Sequence, residues 1–447
     1  GMSLWTGLAS TLLAWWCCAA LLAQGFVQRS LSRLLQTLPV MLATPHAAFA
    51  IGLAFLVAPS GWLLRALSPW LTGFEFPPPW PTTQDPWGLG LITALVAKEI
   101  PFLLWTAATH LQREDVRRRW QAEHAIAQTL GYAPTRSFWR VVWPQLAPRL
   151  FWPLMAVMAY GLTVVDLALV IGPATPPTLA VLAWQWLQDA DVAVNTKGAA
   201  GGGLLALMVL LSGLGWRLVG AATARSQGGL DGRRGAVGHS RQTTGAGGMS
   251  AAFGVLVGLY AVVLLALAVG SVAGVWPFPS LWPERLTAQA WTSVWASRDT
   301  VWQTLAVGTA ASLIALAWCV AWLELAPRRW DSALRPLLYL PLVLPAVLWV
   351  VGLYGLALQG QMEGRWGGVL PAHVLMALPY VLLALSPAYL GFDARYAQVN
   401  ASLGHGRWTL LWRVKWPLLR RALAASAAVG FAVSVAQYLP TLYIGAG

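Results

Sequence analysis

Residues 125–146 read AIAQTLGYAPTRSFWRVVWPQL, and residues 398–419 read QVNASLGHGRWTLLWRVKWPLL. Each stretch holds a Leu-Gly pair, with the glycine at Gly131 or Gly404. Eight residues past that glycine comes Trp-Arg-Val, as Trp139-Arg140-Val141 and Trp412-Arg413-Val414. Thirteen residues past it stands the proline of a Trp-Pro pair, Trp143-Pro144 and Trp416-Pro417. Both copies are basic islands between long apolar runs. A chain that builds one polar loop twice among hydrophobic segments presents two equivalent docking points to one partner.

The apolar runs set the fold class. The chain has 447 residues, of which 57% are hydrophobic and 10% charged, with a mean hydropathy of +0.60; soluble domains carry about 25% charged residues. Runs of the length that crosses about 30 Å of hydrocarbon as helix fall near 4–24, 36–58, 88–110, 150–172 and 199–221, and again near 251–275, 301–324, 337–358, 367–390 and 422–446. The expected fold is an all-α polytopic membrane protein with ten visible spans. A barrel would need alternating strands of about ten residues instead.

Basic residues orient the spans. Arg65, Lys197, Arg285, Arg298 and Arg365 are the cations of one set of loops, where acidic residues accompany them. Lys98 lies within a run, and the rest of the 29 Lys and Arg fall in the alternate loops. Those alternate loops, both Gly-to-Pro stretches included, face the cytoplasm. The net charge of +13 is therefore topological, and no nucleic-acid partner is expected. Cys17, Cys18 and Cys319 all sit in apolar runs, which suits packing and neither a disulfide framework nor a metal site.

Residues 223–250 carry scattered glycines, serines and arginines, the composition of a cytoplasmic linker. It divides the chain into a first membrane repeat, 1–222, and a second, 251–447. The order of signals matches across the two: Leu38-Pro39 and Pro45 with Leu340-Pro341 and Pro345, Pro101-Phe102 with Pro379-Tyr380, and Trp5 with Trp302. Both basic loops face one side, so the repeat is parallel. The run at 251–275 has no counterpart before 4–24, and that at 199–221 has none after 422–446. The expectation is a chain shortened at both ends, its second repeat ending early, with twelve spans in full.

Each loop reads as a small helix–turn–helix knob. Ala122, Ile126 and Thr129, like Tyr396, Val399 and Leu403, lie at helical spacing before the glycine. The glycine allows a left-handed turn, and Pro134 can open the next helix. Phe138 with Trp139, and Leu411 with Trp412, are expected to project together, and Pro144 and Pro417 to end the element. An apolar knob ringed by arginines can fit a groove on another protein.

With these residues in view, the chain resembles the "EAA"-loop permeases of bacterial ABC importers, whose pattern is EAA, three further residues and a glycine, then a hydrophobic-Pro pair ending thirteen past the glycine. Two such regions fused in one chain resemble the permeases of ferric-iron and thiamine importers, and more closely the YnjC-like permeases. The resemblance covers essentially the whole chain. The triplet itself is Ala125-Ile126-Ala127 in one copy and Gln398-Val399-Asn400 in the other, without the family's glutamate. The resemblance implies a multi-pass protein of the bacterial inner membrane and two ATP-binding cassette subunits as partners. A periplasmic or lipid-anchored substrate-binding protein would be a further partner. Gly131, Phe138, Trp139, Pro144, Gly404, Leu411, Trp412 and Pro417 would form the ATPase-coupling set, and no cofactor is implied.

Charges inside spans cost about 3 kcal/mol each at mid-bilayer and usually face a pathway or a partner. Lys98 and Glu99 sit in the run at 88–110, where the other half has Met376 and Ala377. Asp166 and Gln437 hold corresponding places in 150–172 and 422–446. These four are the candidate lining of a translocation path. His46 and His373 read better as helix-packing residues. No G-x-x-x-x-G-K-[ST], H-E-x-x-H or G-x-S-x-G occurs, so no catalytic residue is assigned and ATP hydrolysis is expected in a partner. The alternative is an ion-gradient-driven secondary transporter, which would need discontinuous helices with ion-binding carbonyls.

Overall fold

The computed structural model describes residues 1–27, 31–111, 114–228 and 246–445. Among them the secondary structure is helical, with one isolated antiparallel bridge, Ala273 to Leu286, in a loop. Among the described residues eight helices are long and apolar enough to cross a membrane: Met2–Val27, His46–Leu67, Leu89–Leu111, Val192–Ala222, Ala251–Gly270, Arg298–Leu325, Trp366–Leu390 and Arg407–Val435. Arg329–Val343 and Ala346–Gln359 would make a ninth as one span bent by 100°.

Against the ten spans expected, eight or nine are found among the described residues, because not every apolar run forms a single rod. The run at 36–58 divides into Leu31–Ala43 and His46–Val57, and that at 337–358 divides before Ala346. Pro45 and Pro345 explain both breaks: proline offers no N–H to the turn before it and drives its predecessor out of the helical region. The run at 150–172 divides into Phe151–Thr163 and Asp166–Ile171. No proline stands there. Instead three β-branched residues, Thr163, Val164 and Val165, follow in series, and the Thr163 hydroxyl donates back to the Ala159 carbonyl at 2.8 Å, which favours a bend. Its counterpart runs to Val435, breaks over 436–438, and resumes as Leu439–Ile444. Most of the expected linker lies outside the described residues; helices enter it from both sides, to Gly228 and from Ala246.

One three-helix arrangement is built twice. Met2–Val27 packs against Leu89–Leu111 and Phe151–Thr163, as Arg298–Leu325 packs against Trp366–Leu390 and Trp416–Val435. The helix on either side of the linker crosses over. Ala246–Gly270, which follows the linker, lies against His46–Val57. Gly52 makes that approach possible, since a Cβ there would stand 2.7 Å from both Val263 Cγ1 and the Val263 carbonyl oxygen. The Tyr260 hydroxyl donates to the Ala97 carbonyl at 3.1 Å. Val192–Gly228 in turn touches Ala346–Gln359. Arg65, expected only as a loop cation, is buried and fastens the loop after Gly270. Its Nη1 donates to the Pro277 and Ser280 carbonyls at 2.8 Å each, and its Nη2 to Trp276 at 3.1 Å.

Candidate functional site: a central cavity and two knobs

The helix breaks converge on one cavity of about 330 Å³. Its lining draws on residues within 39–46 and 156–166 from the first half of the chain, and on Pro341, Leu344 and residues within 425–439 from the second. All four charged or amide residues singled out within the runs, Lys98, Glu99, Asp166 and Gln437, line it. Asp166 and Gln437 stand at equivalent breaks beside short helices, Asp166 as the first residue of Asp166–Ile171 and Gln437 two residues before Leu439–Ile444. Lys98 does not pair with its neighbour. Its Nζ donates to the carbonyls of Met41 at 2.9 Å and Thr44 at 2.6 Å, oxygens that the break at Pro45 leaves without helical donors. At this break, the carbonyls that the secondary-transporter alternative would offer an ion are occupied by an ammonium.

Sequence reasoning missed part of this wall. His46, which reads as a packing residue, lines the cavity with its ring 4.8 Å from that of Tyr160. The Tyr160 hydroxyl lies 3.5 Å from Asp166 Oδ1. Only proximity to Pro45 could have drawn attention to His46. His373 does pack: its ring nitrogens meet Ser434 Oγ at 2.8 Å and Thr441 Oγ1 at 3.2 Å, spanning the second break.

The two loops fold to one design. Gly131 has φ +90° and Gly404 φ +75°, the left-handed region that glycine enters without penalty. Tyr132 N–H then closes onto the Ala127 carbonyl at 3.2 Å, and His405 N–H onto Asn400 at 3.0 Å, ending each preceding helix in the same way. After the turn both chains re-enter helix and widen into a π-turn, at Phe138–Val142 and at Leu411–Lys415. Pro144 and Pro417 account for the widening. Neither can donate to the residue four before it, so the preceding tryptophan N–H reaches back five residues, to Phe138 and to Leu411. The prolines therefore do not end the element as expected; helix continues through both.

A second correction concerns which side chains face out. Phe138 and Leu411 are buried rather than projecting. Phe138, Val142, Leu146 and Leu150 recur every fourth residue on the inward face. Phe138 meets Phe26 at 5.6 Å and Trp143 at 6.4 Å between ring centres. Trp139 is half-buried beside Trp16 and Trp143, whereas Trp412 is exposed. The outward apolar residues precede the glycine instead, at matched positions: Leu130 (72% exposed) with Leu403 (66%), and Ile126 (59%) with Val399 (57%). A surface cleft beside the first pair is lined by Tyr132 and Arg140.

No family model matches the chain. It is 36% identical over 421 residues, covering 93% of its length and 73% of the relative's, to the inner membrane ABC transporter permease protein YnjC of Escherichia coli K12. The chain belongs to the inner-membrane ABC transporter permeases. Shorter matches point the same way. The molybdenum transport system permease protein ModB of Mycobacterium tuberculosis is 33% identical over 122 residues, 25% of this permease and 46% of that protein. The thiamine transport system permease protein ThiP of Brucella suis is 28% identical over 172 residues, 35% of this permease and 32% of that one. The permease is accordingly a multi-pass transport subunit of the inner membrane.

The permease fastens its two knobs differently. In the first, His124 is buried, with Ser137 Oγ 2.8 Å from its Nδ1 and Gln128 Nε2 2.7 Å from its Nε2. Burial holds its imidazole below the ordinary histidine range. Glu123 accepts from Arg119 Nε and from Gln145 Nε2, both at 2.7 Å, and these bonds hold its carboxyl below the usual range. In the second, Glu324 of the Arg298–Leu325 helix gathers Lys415 Nζ at 2.6 Å, Arg407 Nη2 at 3.0 Å and the Tyr389 hydroxyl at 2.8 Å. Lys415 also lies 4.0 Å from the centre of the Tyr389 ring. Glu324 closes a run, and its tie to a loop more than eighty residues away left no local signal.

Proposed function

We propose that this permease forms the substrate path of an ATP-driven importer, in two parallel repeats on either side of the linker, and that each knob seats on one of two ATP-binding cassette subunits. One observation carries the reading: matched glycines at positive φ and matched π-turns hold apolar residues outward at equivalent positions of two loops. Apolar side chains exposed in pairs, with Arg140 beside the first pair, suit a groove on a protein partner better than they suit water. ATP binding would draw the two ATPase subunits together, the knobs would carry that movement to the helices, and the central cavity would open toward a substrate-binding protein. Such coupling requires the two halves to move relative to each other about the cavity. Absence of the EAA glutamate leaves apolar contact as the main fastening.

The test is co-purification. The unmodified permease is expected to retain its ATPase subunit in mild detergent, and Leu130→Asp with Leu403→Asp to lose it while eluting as the same monodisperse species. Retention of the ATPase by the double variant would overturn the assignment of the docking points.

A further inference from the structure

The cavity carries a charge pattern beyond what the path reading needs. Besides tyrosines, four ionisable side chains line it: His46, whose ring lies beside that of Tyr160, and Lys98, Glu99 and Asp166. Lys98 is committed to the fold, since two of its three N–H groups hold the Met41 and Thr44 carbonyls at the helix break. The carboxylates are less committed: Asp166 accepts backbone N–H groups at the start of its own helix, and Glu99 has only the adjacent Lys98 as a charged neighbour. Glu99 is only 6% exposed, and among the described residues its carboxyl has neither a hydrogen bond nor an ion pair. A buried carboxylate whose one charged neighbour is an ammonium already bound to carbonyls is costly and gains from a further counter-charge. Asp166 has the Tyr160 hydroxyl at 3.5 Å and, among the described residues, no cation. Around them the wall is aromatic, with Phe102, Trp105, Tyr160, Tyr380 and Tyr438, and ring faces attract cations most where water is excluded.

We infer that the cavity selects a small organic cation, its positive centre shared by Glu99 and Asp166 and its body against the aromatic wall. An oxyanion would meet two carboxylates and an ammonium already engaged by carbonyls. A bare metal ion would want several ligands together, and among the described residues no group of three His, Cys, Asp or Glu is placed to hold one. The volume of about 330 Å³ suits a compact molecule. This inference rests on the cavity being the path.

Charge selectivity of thiol labelling tests it. Gln437→Cys is introduced with Cys17, Cys18 and Cys319 replaced by Ala, and the permease is purified with its ATPase in lipid nanodiscs. Labelling by trimethylammonium-ethyl and by sulfonato-ethyl methanethiosulfonate is timed with and without ATP, each rate divided by that of a free thiol. The expected result is a preference for the cationic reagent of roughly tenfold or more, within the range by which a charged cleft concentrates counter-ions. The preference is expected to weaken in Glu99→Gln and Asp166→Asn singly and to vanish in the double variant, with ATPase co-purification unchanged. Labelling by both reagents in the free-thiol ratio, or preference for the anion, overturns the cation assignment and leaves the path in place. Failure of both reagents to label in every nucleotide state overturns the path reading and this inference with it.

Discussion

The first and second knobs share a backbone and differ in what holds it. Gly131 and Gly404 turn the chain alike, and Pro144 and Pro417 widen it alike. The first knob is then held mainly by aromatic packing of Phe138 on Phe26 and a hydrogen-bonded set about His124, with the Glu123 carboxylate accepting from Arg119 and Gln145. The second is held by charge, with Lys415 and Arg407 on Glu324. Val142 stands where Lys415 stands, and Ala397 where His124 stands. Residues that set dihedral angles recur because no other type gives the same turn at the same cost. Fasteners need only supply enough interaction energy, which packing or ion pairing can each do.

The largest effect expected from this contrast is at Phe138. Phe138→Ala should cost about 3–5 kcal/mol, the usual penalty for emptying a buried aromatic site. Limited trypsinolysis should then cut at Arg136 and Arg140 far faster than before and leave cleavage at Arg407 and Arg413 unchanged. Glu324→Ala should do the reverse. It strands Lys415 beside an aromatic ring, but Arg407 is 54% exposed, so about 2 kcal/mol is expected, below the figure for a fully buried pair. Trypsin sensitivity appearing in both knobs with either variant would show that they are fastened jointly. Gly131→Ala and Gly404→Ala should cost about 1–2 kcal/mol each from left-handed backbone strain. The two should match, because at either glycine an added Cβ would find nothing within 4 Å to clash with.

The smallest effect is a pH response confined to the first knob. His124 is held neutral by burial, so its folded-state pKa lies below the unfolded value, ordinarily about 6.5. Above that value neither state is protonated and nothing changes. As pH falls through it, the unfolded knob takes the proton first, so the folded knob loses stability until the folded-state pKa is passed. Hydrogen exchange over residues 122–146 should quicken on acidification, and His124→Gln should blunt the change. Exchange over 395–417 reports whether the response is specific to the first knob.

How much of this is legible in the sequence follows from the kind of signal each feature leaves. The all-helical membrane fold and the paired loops are legible because hydropathy and Gly-to-Pro spacing are local. Lys98, Glu99, Asp166 and Gln437 stand out against apolar runs, and all four line one cavity. The inward placement of Phe138 and Leu411 is not legible. A π-turn shifts the angular phase of every residue after it, and its cause, a proline six residues past Phe138 and Leu411, reads locally as a helix stop. The break at Val164 carries no proline, and the Glu324 cluster and the His46–Tyr160 contact are long-range pairings that no window of sequence contains.

The most direct test of the central claim is photocrosslinking from the outward positions themselves. A benzoylphenylalanine placed at Leu130, and separately at Leu403, in native membranes should yield one adduct each, both with the same ATP-binding cassette polypeptide. Adducts with lipid alone, or with this chain's own helices from both positions, would contradict the account.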